Sequence, residues 1–217
     1  MRTRALVAAC ALGLAASGFA ISRSSLAAPA SAPSAVSYYD TRDFTPRWSP
    51  VTHAISSFSF TDQENRSFGD RDLDGKTHIA SFIFTSCPGV CPTLVQRLKP
   101  VQEALRGRND AMMVSFSVTP LTDTPPVLAE FGARRGIDPS IWRLLTGQPR
   151  EIQRIMRESY FADDDRPLDD PMGARLLHSE KVLLVDAKRR LRGVYNGTIA
   201  FEVERLIGDI ETLRKER

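Results

Sequence analysis

The run Ile79-Ala80-Ser81-Phe82-Ile83-Phe84 is apolar at almost every position and leads directly into Thr85-Ser86-Cys87-Pro88-Gly89-Val90-Cys91-Pro92. A strand without a polar face must be buried on both sides, so it belongs inside a sheet covered by helices. Pro92 suits the first turn of a helix, where its missing N–H costs little. Leu94, Val95, Leu98, Val101 and Leu105 then recur at helical spacing, and Pro100 is expected to bend that helix. A buried strand, a loop with two cysteines and a helix therefore follow one another within about thirty residues, the scale of one βαβ unit.

The rest of the chain extends this layered pattern. Ile55 to Asp62 alternates and reads as a strand, followed by turn signals at Asn65 and Asp72-Leu73-Asp74-Gly75-Lys76. Met112 to Val118 reads as a second buried strand. Pro125-Pro126-Val127 opens a helix that stops near Gly136, and Pro149 to Tyr160 forms another. Asp163 to Pro171 is an acidic loop. Lys181 to Asp186 and Leu191 to Tyr195 read as a hairpin, and Phe201 to Lys215 as a closing amphipathic helix. Strands alternating with helices imply a single α/β domain with a mixed sheet flanked by helices. A late hairpin before a terminal helix suits a thioredoxin-like arrangement.

At the N-terminus, Arg2 and Arg4 precede Ala5–Ile21, which carries no charge. Residues 1–27 read as a signal peptide or membrane anchor, with cleavage after Ser25-Leu26-Ala27 and retention both open. Cys10 reads as an ordinary membrane residue. Residues 28–50, rich in Ala, Ser and Pro, read as a tether, and 51–217 as the domain. The domain is thus expected in a periplasmic or other extracytoplasmic space, tethered to the inner membrane if the leader stays. Of 29 Lys and Arg, Arg2, Arg4 and Arg23 lie in the leader; the remaining 26 match the 26 Asp and Glu. Such a balance offers no concentrated basic face for nucleic acid. Two cysteines beyond the leader are too few for a disulfide scaffold and point to function.

A strand end meeting a helix N-terminus favours thiolate over thiol. Two thiolates can hold a soft ion such as Cu(I), or close a disulfide and exchange it with another protein. Three residues separate Cys87 from Cys91, one more than in the thioredoxin redox motif, leaving room for an ion between the sulfurs. Inert core cysteines are the bland alternative, but a Cys/Pro/Gly cluster at a strand end is poor core material. An imidazole could complete a copper site. His53 precedes the first strand, and His78 starts the apolar strand at the end away from the cysteines. His178 precedes the strand from Lys181, beside the cysteine loop in a thioredoxin-like sheet, and is the candidate third ligand. The acidic loop lacks the glycine turn and distal Glu of a calcium loop and reads as a solvated or partner-facing segment. Met112, Met113 and Met156 read as core.

These segments together resemble the Sco/SenC copper-chaperone family. The resemblance runs from about Ile55 into the C-terminal helix. It rests on Phe58-Ser59-Phe60-Thr61-Asp62 with Asp74-Gly75-Lys76, on Phe84 to Leu94, on Ser117-Val118-Thr119-Pro120 with Asp123-Thr124-Pro125, and on His178-Ser179 with Leu184-Val185-Asp186 and Arg192 to Gly197. It implies a thioredoxin-like fold and a copper site made of Cys87, Cys91 and His178, binding Cu(I) or Cu(II). It further implies delivery of copper to an acceptor such as a copper subunit of cytochrome c oxidase, with a thiol reductant protein as second partner. Thiol–disulfide exchange on partner cysteines by Cys87 and Cys91 is the alternative; a peroxidase of the same fold lacks its residue pattern here. Where the family often carries Asp, this chain has Gly89, Thr119 and Leu177.

Overall fold

The computed structural model describes residues 35–162 and 180–216. His178, Met172 and the acidic loop lie outside them. Seven strands form one sheet: β1 (Ser59–Asp62), β2 (Ser67–Gly69), β3 (Thr77–Ile83), β4 (Ala111–Ser117), β5 (Trp142–Thr146), β6 (Lys181–Val185) and β7 (Leu191–Asn196). Their spatial order is β2-β1-β5-β4-β3-β6-β7. The central β3 runs parallel to β4, with Ile83 opposite Ser117, and antiparallel to β6. Helices α1 (Val90–Ala104), α2 (Pro125–Arg134), α3 (Pro149–Arg154) and α4 (Ala200–Lys215) complete the fold. The mixed, helix-flanked sheet agrees with the thioredoxin-like expectation.

All seven residues of β3 are buried, as its sequence requires. Ile79 and Ile83 enter one core with Leu94 and Leu98 of α1, Leu128 and Phe131 of α2, and Val203, Leu206, Ile210 and Leu213 of α4. Ala80 and Phe82 enter a second core on the other face, with Phe116, Ile155 and Tyr160. Burying each large side chain contributes about 1.5–3 kcal/mol against its exposed state, so the two cores hold β3 between them. Helix α1 runs through Pro100. The carbonyl of Gln96, which Pro100 cannot satisfy, belongs to an exposed residue on the solvent face.

Several elements depart from the sequence reading. Strands β2 and β5 were not foreseen. Strand β5 is held partly by a side chain: Gln63 donates to the Trp142 carbonyl at 3.0 Å and accepts from Leu144 N–H at 2.8 Å. The expected helix from Pro149 to Tyr160 is α3 followed by one π-helical turn, Ile155–Ser159. Residues 35–47, expected within the tether, lie against the sheet. Val36 is buried in the first core. The buried Arg192 guanidinium donates to the Ser37 and Val36 carbonyls at 3.0 and 2.6 Å, pairs with Glu216 at 2.8 Å, and stacks on Tyr38. No helix among the described residues is long and apolar enough to cross a membrane.

Candidate functional site

Cys87 and Cys91 sit where β3 ends and α1 begins, both buried and held as thiols rather than joined in a disulfide. Cys87 N–H donates to the Phe84 carbonyl at 3.3 Å, closing a turn across Thr85 and Ser86. Cys91 occupies the first turn of α1, and its N–H donates to Cys87 Sγ at 3.4 Å. The helix N-terminus thus points an unpaired donor at the first sulfur, the contact expected from its position.

The two thiols are driven apart electrostatically. Burial works against ionisation of Cys87, but N–H groups of Cys91, Gly89 and Val90 outweigh it and hold this thiol below its ordinary range. Cys91 is pushed up to about 12, chiefly by burial and further by Cys87; the Phe84 backbone donor and Arg135 only partly offset this. The first sulfur therefore gives up its proton more readily than the second.

The histidines separate by role. His78 is buried near the start of β3, at the end of the strand away from the cysteines, beside Val185 and Met112, with Nε2 at 2.9 Å from the Tyr160 hydroxyl. His53 Nε2 lies 2.8 Å from the Ser159 carbonyl, and its ring stacks on Phe161. Neither is near the cysteine loop. Among the described residues no three His, Cys, Asp or Glu side chains gather as a metal cluster. The cysteine pair contributes two sulfurs, a soft donor set that suits Cu(I).

Two further loops lie beside the cysteine loop. Gly197 packs so tightly that an added Cβ would collide with Leu94 Cδ1 and Val182 Cγ2. This seats the turn between β7 and α4 against the helix that carries Cys91. The turn after β4 is tied to Thr85 through Asp123, which accepts from Thr85 Oγ1 at 2.6 Å. Segments 84–96, 117–129 and 193–201 contain one charged residue, Asp123, and it is buried. Leu121, Phe201, Ile199 and Val127 are exposed on these segments. Space does not explain the missing acid at Gly89, where a Cβ would meet nothing within 4 Å. Sequence reading passed over Asp123 as part of a motif; an aspartate just before Thr124-Pro125, at a helix start, was the available signal.

A family model described as SCO1/SenC matches residues 48–215. The crystal structure of a SCO1/SenC family lipoprotein from Bacillus anthracis str. Ames superposes with a TM-score of 0.67 at 30% identity, covering 77% of this chain and 98% of that one. A member of the Sco family of cytochrome c oxidase assembly proteins, for which a disulfide switch is described, superposes with a TM-score of 0.67 at 27% identity, covering 78% and 98%. The copper-bound ScoI of Bradyrhizobium japonicum shares the fold, with a TM-score of 0.56 at 24% identity over 73% of this chain and 98% of that one.

Proposed function

Since the chain belongs to the SCO1/SenC family, we propose that it carries copper as cargo on Cys87, Cys91 and His178 and hands it to an acceptor during cytochrome c oxidase assembly. The observation that carries this reading is the cysteine pair at the N-terminus of α1, with one sulfur supported by backbone N–H groups. Soft thiolates select Cu(I). His178 is drawn from the sequence, two residues before Glu180, whose carbonyl accepts from Gly197 N–H at 2.7 Å beside α1.

Metal transfer by ligand exchange needs the acceptor's own ligands to approach the sulfurs while the first ligands still hold. The uncharged rim formed by Leu121, Val127, Ile199 and Phe201 can dock an equally uncharged face without stranding buried charge. A separate thiol reductant keeps the pair reduced in an oxidising compartment. Residues 1–27 would place the domain outside the cytoplasm, a reading supported by the likeness to a relative described as a lipoprotein.

Thiol–disulfide exchange remains the second reading, favoured by the asymmetry of the two thiols. Cys87 would attack a partner disulfide as thiolate, expelling one partner sulfur as leaving thiolate and forming a mixed disulfide. Cys91 would then lose its proton, attack Cys87 Sγ, and release the second partner thiolate. The pair is oxidised and the partner reduced by two electrons.

One assay separates the readings: reduction of a disulfide substrate by the dithiol protein, with and without one equivalent of Cu(I). A carrier reduces the substrate slowly and passes copper to a copper-free oxidase subunit domain. Fast, copper-independent turnover requiring both cysteines, with no transfer, would overturn the carrier reading.

A further inference from the structure

We infer that Asp123 is a positioning residue that fixes the Cys87 end of the pair against the sheet, an inference that takes the cysteine pair as the site. Asp123 is 1% exposed and accepts from four donors. Thr85 N–H lies at 3.1 Å and Thr85 Oγ1 at 2.6 Å. Ser117 Oγ lies at 2.6 Å and Thr119 Oγ1 at 3.0 Å. Every partner donates, so the carboxylate serves as an acceptor on both oxygens, and such charge-assisted bonds are the stronger kind.

The clamp joins two chain segments that the sheet alone leaves separate. Backbone pairing between β3 and β4 ends at Ile83 and Ser117, with one further bond from Val118 N–H to the Ile83 carbonyl at 2.9 Å. Beyond that point Thr85 is held by Asp123, and Asp123 itself is held by its N–H to the Thr119 carbonyl at 2.9 Å. Thr85 lies inside the turn closed by Cys87 N–H and the Phe84 carbonyl, so pinning Thr85 sets where Cys87 Sγ meets the Cys91 N–H. The position of the first sulfur thus depends on a carboxylate in another loop, 36 residues further along the chain.

By holding Cys87 Sγ where the Cys91 N–H donates to it at 3.4 Å, a bond that supports an unjoined sulfur, the clamp favours the dithiol form. Weakening it should favour oxidation of the pair. The test is the equilibrium of the metal-free protein with glutathione, in which the dithiol and oxidised glutathione give the protein disulfide and two reduced glutathiones. Thr85→Val removes one donor with little change of shape, and Asp123→Asn removes the charge and turns one of the two acceptor atoms into an N–H2 donor. Each should shift the equilibrium toward disulfide by about tenfold, equal to about 30 mV for a two-electron couple. Thr85→Ser, which keeps the hydroxyl, should stay near the native value. The affinity for Cu(I), read by competition with a chromophoric chelator, should fall in parallel with the loss of the clamp.

A lower melting temperature with native potential and native copper affinity in Thr85→Val would overturn the inference, leaving Asp123 a purely structural residue. Should Asp123→Asn fail to fold, Thr85→Val and Thr85→Ser decide alone. The potential is measured without metal, so a native protein that binds no copper sinks the copper reading while the clamp is still judged.

Discussion

His78 shows what burial does to a residue that sequence alone would leave as a spare ligand. Its neighbours on β3, β4 and β6 place it in the sheet interior, and Tyr160 takes its Nε2. Burial lowers it to about 3; Asp186 opposes the shift and Arg189 adds to it. The unfolded chain therefore binds more protons than the folded one between about pH 6.5 and 3. The stability due to neutral His78 is fully present above the unfolded value and is lost as pH falls toward the folded one, at about 1.4 kcal/mol per pH unit. His78→Gln should cost about 1–3 kcal/mol at neutral pH, from a disturbed buried hydrogen bond, and should flatten the loss between neutral and mildly acidic pH. Urea unfolding at both pH values checks this, and an unchanged slope would count against it. The cysteines were legible because Cys, Pro and Gly at a strand end serve no packing purpose. The roles of His78, His53 and Asp123 were not, because each depends on a partner 38 to 106 residues away.

Strands β3 and β4 and helices α1 and α4 were legible at the level of elements, since each carries an unbroken apolar run or stripe that only one burial pattern satisfies. Strand β5 was hidden. Trp142-Arg143-Leu144-Leu145-Thr146 is too short to separate from a helix end, and its Arg143 is explained by Asp62 at the end of β1, at 3.0 Å, together with Glu64. The π-helical turn was hidden for a similar reason, because its side-chain pattern continues that of α3. The contact between α1 and the turn after β7 gives a test at this scale. Gly197→Ala places a methyl against Leu94 and Val182. Overpacking of this kind costs about 1–3 kcal/mol, and the displaced element is the helix bearing Cys91. Loss of denaturant stability together with slower copper uptake is expected; a variant as stable as the native protein would mean that the turn yields instead.

Among the described residues, segments 84–96, 117–129 and 193–201 beside the reactive pair carry one charged side chain, the buried Asp123, whereas the opposite end of the sheet is closed by ion pairs. Asp186 meets Arg190 and Arg192 there, and Arg192 reaches Glu216 and residues 36–37. The N-terminal segment and the end of α4 are thereby fastened far from the sulfurs, which leaves the cysteine end to a partner. Composition announced none of this, because the matching 26 bases and 26 acids beyond residue 27 say nothing about where charge is missing. The measurement that bears most directly on the account is Cu(I) binding by the reduced domain under anaerobic competition with a chromophoric chelator, made on the native chain and on Cys87→Ser, Cys91→Ser and His178→Ala. One copper per chain is expected for the native protein. Either serine variant should lose tight binding, because a hydroxyl is a hard substitute for a soft thiolate, and His178→Ala should weaken it. Unchanged copper stoichiometry in the double serine variant would contradict the account.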